Sequence, residues 1–233
     1  MERQAGARLP PRIAADVTML KLVQIFPMLA LAALAAATPA KAHPHVFVVV
    51  KSEMVFDKDG KIGAIRHAWQ FDEFYSAFAV QGLGKDGKPP TREDWAPLAK
   101  VNVESLAEFG YFTMGKVAGK PVEFGEPRDY WLDEGADKLV TLHFTLPLTV
   151  PASAARAFNL QVYDPTYFIA FDFDDKEPVV LAGAPAGCSA KINKPGPLVA
   201  DETKKLSESF FSGLSPGDGF GLKLSSRASI ACP

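Results

Sequence analysis

Two residue types that build many recognisable sites are scarce in this 233-residue chain. It has two cysteines, Cys188 and Cys232, and four histidines, His43, His45, His67 and His143. No CxxC pair and no HExxH run occurs, which excludes the usual zinc ribbons, dithiol redox centres and zincin proteases. No hydrolase serine elbow and no phosphate loop is read, so no motif indicates an enzyme. An excess of positive charge is also lacking, with 25 basic residues against 27 acidic ones. The longest apolar run, Leu22–Ala37, falls short of the ~20 residues a bilayer requires.

That short run has a better use. Met19–Ala42 carries the three parts of a secretory signal: Lys21 as the positive region, the Leu/Ala-rich stretch, and Ala40-Lys41-Ala42 as a small-x-small cleavage pattern. Residues 1–18 hold three arginines and no hydrophobic period, and read as an upstream extension. A retained membrane anchor is the alternative. Cleavage after Ala42 leaves 43–233 as a single expected periplasmic domain that does not itself span the membrane. Five of the basic and two of the acidic residues lie before His43, so the mature chain has a net charge near −5. That balance argues against nucleic acid or an anionic membrane surface as partner and is compatible with a cation. An oxidising compartment would join Cys188 to Cys232 across a separation of 44 residues; a two-cysteine metal site is the other reading.

The pattern along the mature chain is strand-rich. His45–Phe56 and Ile62–Phe71 predict a hairpin across Asp57-Lys58-Asp59-Gly60-Lys61. Gly82–Pro90 is a loop. Thr91 with Asp94 starts a helix that Pro97 is expected to limit to a short turn, and Val101–Phe112 continues helically to Gly110 or Gly115. Pro121–Asp133, Leu139–Leu148, Ala157–Tyr163, Tyr167–Phe173 and Leu222–Cys232 read as strands, and Asp201–Gly213 as a late helix. The expected class is mainly β, within α+β: antiparallel, sandwich-like sheets with two or three peripheral helices.

Cleavage gives His43 a free α-amine, which can chelate a metal together with its own ring Nδ1. His45 lies two positions on, hence on the same strand face, and can complete a histidine brace. Pro44 has no N–H to lose, so the square-planar mode through deprotonated backbone amides is blocked. Zn, Ni, Co or a brace-type Cu site remains, completed by carboxylate or another histidine. With the turn centred at Lys58-Asp59, paired residue numbers sum to about 117–118. His45 then faces Asp72 or Glu73, the expected acidic ligands, while His67 faces Val50 or Lys51 and is structural. A single bulge would shift that register by one residue. An unused terminus is the plainer reading of His43 and His45. His143, among Leu142, Phe144 and Leu146, is expected to be a hydrogen-bonded core histidine.

Two aromatic–acid clusters stand apart: Trp69-Gln-Phe-Asp-Glu-Phe-Tyr-Ser76 and Tyr163-Asp-Pro-Thr-Tyr-Phe168. Each is either a tight corner packed on aromatics, with Asp164 capping a turn, or part of the lining of one ligand pocket.

His43-Pro-His-Val-Phe-Val, the Phe56-Asp…Gly60 turn, the Trp69–Ser76 run, Asp164-Pro-Thr-Tyr-Phe168 and the late Cys232 together resemble an uncharacterised exported bacterial family, a domain of unknown function. That family is usually described as the periplasmic component of an ABC-type transport system, and its members are often encoded beside nickel/cobalt permeases or exporters. The resemblance implies a periplasmic, transition-metal-binding accessory protein working with a membrane metal transporter or permease. A histidine-brace copper enzyme and a non-metal solute- or protein-binding module are the alternatives.

Overall fold

A computed structural model describes residues 44–84, 88–197, 210–211, 213–215 and 219–233. They belong to one compact unit, Ala42–Pro233. The expected signal segment, His43 and most of the expected helix Asp201–Gly213 lie outside the described residues.

The hairpin forms from β1 (Val46–Phe56) and β2 (Lys61–Phe71). Asp57 closes the turn by accepting from the backbone N–H of Asp59 and of Lys61, and Gly60 supplies a φ of 70°. Phe56 pairs with Ile62, as the turn predicts, but Val55 pairs with Ala64. Gly63 is thus an extra residue on β2, a bulge that moves every later pair by one. His67 consequently faces Ser52, not Val50 or Lys51.

The remaining strands are β3 (Thr113–Val117), β4 (Lys120–Pro121), β5 (Arg128–Glu134), β6 (Val140–Ser153), β7 (Phe158–Val162), β8 (Ile169–Phe173), β9 (Val179–Ala182), β10 (Ser189–Asn193) and β11 (Arg227–Ala231). One sheet runs β5-β6-β2-β1-β8, with β9 also paired to β1; the other runs β10-β11-β7-β3-β4. Pairing is antiparallel except that β8 and β9 join β1 in parallel, β8 along its first half and β9 along its second. The protein is therefore mainly β and sandwich-like, with few helices. Cys188 and Cys232 form a disulfide tying the segment before β10 to the residue after β11. Among the described residues no helix is long and apolar enough to cross a membrane.

Helices α1 (Glu73–Ala79), α2 (Arg92–Leu106) and α3 (Phe220–Leu224) lie wholly within the described residues, and residues 210–211 are also helical. The Thr91–Asp94 capping box is present, but Pro97 does not end α2. The helix continues because Trp95, Ala99 and Val103 fall on one buried stripe, and that packing outweighs the single backbone hydrogen bond Pro97 removes. After Leu106 the chain tightens into a 3-10 segment, Ala107–Phe112, where Gly110 and Tyr111 take positive φ.

Other expectations also change in detail. Pro121–Asp133 is no single strand; β4 and β5 are separated by irregular chain holding Gly125 and Pro127. Leu222–Cys232 opens inside α3 before β11 begins. His143 is not in the core: it stands half-buried on the outer face of its sheet, stacked on Trp131 and bonded to Asp133 at 3.3 Å. On β6 it alternates with Leu142 and Phe144, which take the inner face.

Candidate functional site

The inner face of the larger sheet divides along the strands. Towards one end Met54, Ile62 and Ile65 pack against Phe158, Leu160 and Ile230 of the second sheet. Towards the other, Trp69, Phe71, Leu142 and Phe171 meet α2 and the 3-10 segment. His67 lies between, fully buried, with Ser52 Oγ 3.0 Å from Nδ1 and Thr113 Oγ1 3.4 Å from Nε2. Burial pushes its pKa from 6.5 down to about 3, so it is a neutral core histidine.

The helix-covered end is not filled. It holds a cavity of about 620 Å³, within the range of small-molecule sites. Trp69 and Phe71 reach it from the end of β2. Asp72 then turns the chain into α1, accepting from Tyr75 N–H at 2.9 Å through Oδ1 and from Phe47 N–H at 2.7 Å through Oδ2. That turn lays Tyr75 on Phe71, ring centroids 4.0 Å apart, with its hydroxyl accepting from Asn102 of α2 at 3.1 Å. Burial raises the Tyr75 pKa, with the Asn102 hydrogen bond acting the other way.

The opposite wall is the second cluster. Asp164 accepts from Thr166 N–H and hydroxyl through Oδ1 and from Ile169 N–H through Oδ2, building a corner that presents Pro165, Thr166 and Phe168 to the cavity. Behind this corner the backbone of α3 comes so close that a Cβ on Gly221 would lie 1.7 Å from Asp164 O. Only glycine fits there. The 3-10 segment adds Phe109 and Phe112, stacked at 5.2 Å. The cavity is lined mainly by aromatic and aliphatic groups, with Tyr75, Asn102, Ser105 and Thr166 as neutral polar residues, Glu108 and Asp164 as acids, and no Lys, Arg or His among the lining residues.

The two clusters singled out in the sequence therefore line one cavity, and each is also a tight corner. Sequence reasoning missed Asn102, Leu106, Phe109 and Phe112; the apolar residues around Gly110 were legible, but their convergence required the tight 3-10 turn.

The expected metal ligands fare differently. His43 lies outside the described residues. His45 is exposed, its N–H bonded to Phe168 O at 2.9 Å and its ring 4.6 Å from that of Phe168. Both Asp72 carboxylate oxygens accept backbone N–H groups, and Glu73 is the exposed first residue of α1. Among the described residues no three His, Cys, Asp or Glu side chains are grouped to hold a metal ion.

A second concavity, about 440 Å³, lies on the outer face around Lys51, Glu53, Arg66, Trp131 and His143. One spacing also escaped the sequence reading: Gly213-Leu-Ser-Pro-Gly217 matches that of a hydrolase serine elbow. The described residues before it, 210–211, are helical, whereas the serine of such an elbow follows a strand.

A family model described as a protein of unknown function (DUF1007) matches residues 28–232. The chain is also similar to an uncharacterized protein of Haemophilus influenzae, 23% identical over 158 residues, which cover 66% of this chain and 74% of that one.

Proposed function

The chain belongs to the DUF1007 family, and from that premise we propose that it is a periplasmic, non-catalytic binding component of a transport system whose ligand occupies the aromatic cavity. One observation carries this reading. Two clusters far apart in sequence are each fixed by a carboxylate-capped corner, Asp72 and Asp164, and turned onto the same unfilled space. A pocket of this size, open to solvent and walled by aromatic rings, has the concave and largely apolar character of a small-molecule site. The transport setting follows from the family resemblance of the His-Pro-His and Trp69–Ser76 runs. Titration of the mature protein with nile red, a neutral apolar dye, is expected to give saturable one-to-one binding. Leu106→Trp, which fills the cavity from the end of α2, is expected to abolish it with the circular dichroism unchanged. Absence of saturable binding, or its persistence in Leu106→Trp, overturns the cavity as the site.

A second reading keeps the transition metal at the terminus. It is favoured by His45, which is exposed immediately before β1. A protein beginning at His43 is expected to bind Zn, Ni, Co or Cu tighter than ~100 μM, about −5.5 kcal/mol. One beginning at Lys41, or carrying His45→Ala, is expected to lose that affinity. No binding of any of these metals removes the metal reading and leaves the cavity.

A further inference from the structure

Phe109 and Phe112 stand between two spaces. Together with Pro165 they line the 620 Å³ cavity and also a smaller concavity of about 220 Å³. The rest of the smaller space is formed chiefly by Met114 and Gly115 of β3, Pro121 of β4, Val122 and Tyr163. Among the described residues that line it, none is charged. What separates an apolar cavity from an uncharged concavity is thus a proline and two rings stacked at 5.2 Å.

Those rings are carried on an unusual turn. Gly110 (φ 58°, ψ 33°), Tyr111 (φ 56°, ψ 25°) and Phe112 (φ 45°) are three consecutive left-handed residues, two of them aromatic. L side chains rarely adopt that conformation, because Cβ crowds the following carbonyl oxygen. One end of the turn is held firmly. Phe112 is buried, its carbonyl accepts from Tyr163 N–H at 2.9 Å, and its ring packs on Phe171 at 5.5 Å. Tyr111 O accepts from the Thr113 hydroxyl at 2.8 Å. The other end has room. Phe109 is 53% exposed, and apart from neighbours along the chain no atom lies within 4 Å of where a Cβ on Gly110 would be. A strained segment persists where its surroundings fix it, and here they fix one end. Phe112 is a fixed post, Gly110-Tyr111 a hinge, and Phe109 the part that can swing.

We propose that the smaller concavity is the second half of the binding site, filled by the far end of a long apolar chain that enters the cavity and turns Phe109 aside. This rests on the cavity being the binding site, and extends that reading to the class of ligand: a molecule with an extended, uncharged alkyl-type chain. Separating the stacked rings is costly, and relaxation of Gly110 and Tyr111 out of the left-handed region offsets part of that cost.

Primary alcohols from hexanol to dodecanol differ only in chain length, and their affinities can be read by displacement of nile red from the mature protein. Affinity is expected to rise by about fourfold per methylene along the series. Met114→Trp fills the smaller concavity from β3. It is expected to leave hexanol unchanged and to weaken dodecanol by about tenfold or more. Pro121→Trp fills the same space from an exposed position, and serves if Met114→Trp folds poorly. Wild-type protein labelled with 4-fluorophenylalanine reports on the swing directly, its Phe109 resonance being identified by loss in Phe109→Leu. That resonance is expected to move with dodecanol and not with hexanol. Equal weakening of both alcohols, weakening of neither, or a Phe109 resonance that answers both alike overturns the two-part site while leaving the cavity. Failure of every alcohol to displace the dye overturns the cavity reading itself.

Discussion

The two ends of the interior are built from the same two strands, yet one is closed and the other hollow. At the closed end sheet lies on sheet: Met54, Ile62, Ile65, Phe158, Leu160 and Ile230 are almost wholly excluded from solvent, and the Cys188–Cys232 bond lies beside them. At the hollow end a helix and a 3-10 turn cover the sheet, and some wall residues remain open, Phe109 at 53% and Phe168 at 47% exposure. Facing strands interdigitate regular rows of side chains, whereas a helix crossing large aromatic rings leaves gaps. In this protein a stable core and a prospective binding site are the two outcomes of covering one sheet in two ways.

The comparison can be broken by substitution. Phe158→Ala, at the closed end, is expected to lower unfolding free energy in urea by about 3–5 kcal/mol, since the cavity it leaves cannot collapse between two sheets. Replacing both cysteines by alanine is expected to cost up to about 4 kcal/mol, the loop-closure value for this separation, in the same assay.

His67, at the boundary, gives a pH signature. Its folded pKa is depressed, so the unfolded chain takes up a proton below pH 6.5 that the folded chain refuses until about pH 3. The stability owed to neutral His67 is complete above pH 6.5 and is lost as pH falls towards 3. The loss runs at about 1.4 kcal/mol per pH unit. His67→Gln is expected to flatten the dependence measured by urea melts between pH 6.5 and 4; an unchanged slope would mean that water reaches this histidine. The smallest effect belongs to the hollow end, where Phe168→Ala is expected to cost about 1 kcal/mol or less while weakening nile red binding. A cost as large as that of Phe158→Ala would erase the distinction between the two ends.

Much of this was legible in the residues. The hairpin, the Thr91 cap, the long β6, the disulfide pair and the strand-rich class follow from local rules of turn chemistry, capping and alternation. The short strands β3, β9 and β10 were not legible, because four or five residues carry too little period to separate strand from loop. Pro97 misled because a local helix-breaker was outweighed by the buried stripe of Trp95, Ala99 and Val103. His143 misled because apolar neighbours in sequence occupy the opposite face of a strand.

The sequence by itself determined that aromatic and acidic residues cluster twice and that a His-Pro-His run precedes the first strand. Each is a property of residues within a few positions of one another. Only the tertiary structure decided that the two clusters face one cavity, and that both Asp72 oxygens are committed to backbone N–H groups. Those outcomes depend on a one-residue bulge at Gly63, a parallel strand returning beside β1, and a 3-10 turn closing over both. These are contacts between segments distant in the chain, set by how the layers pack.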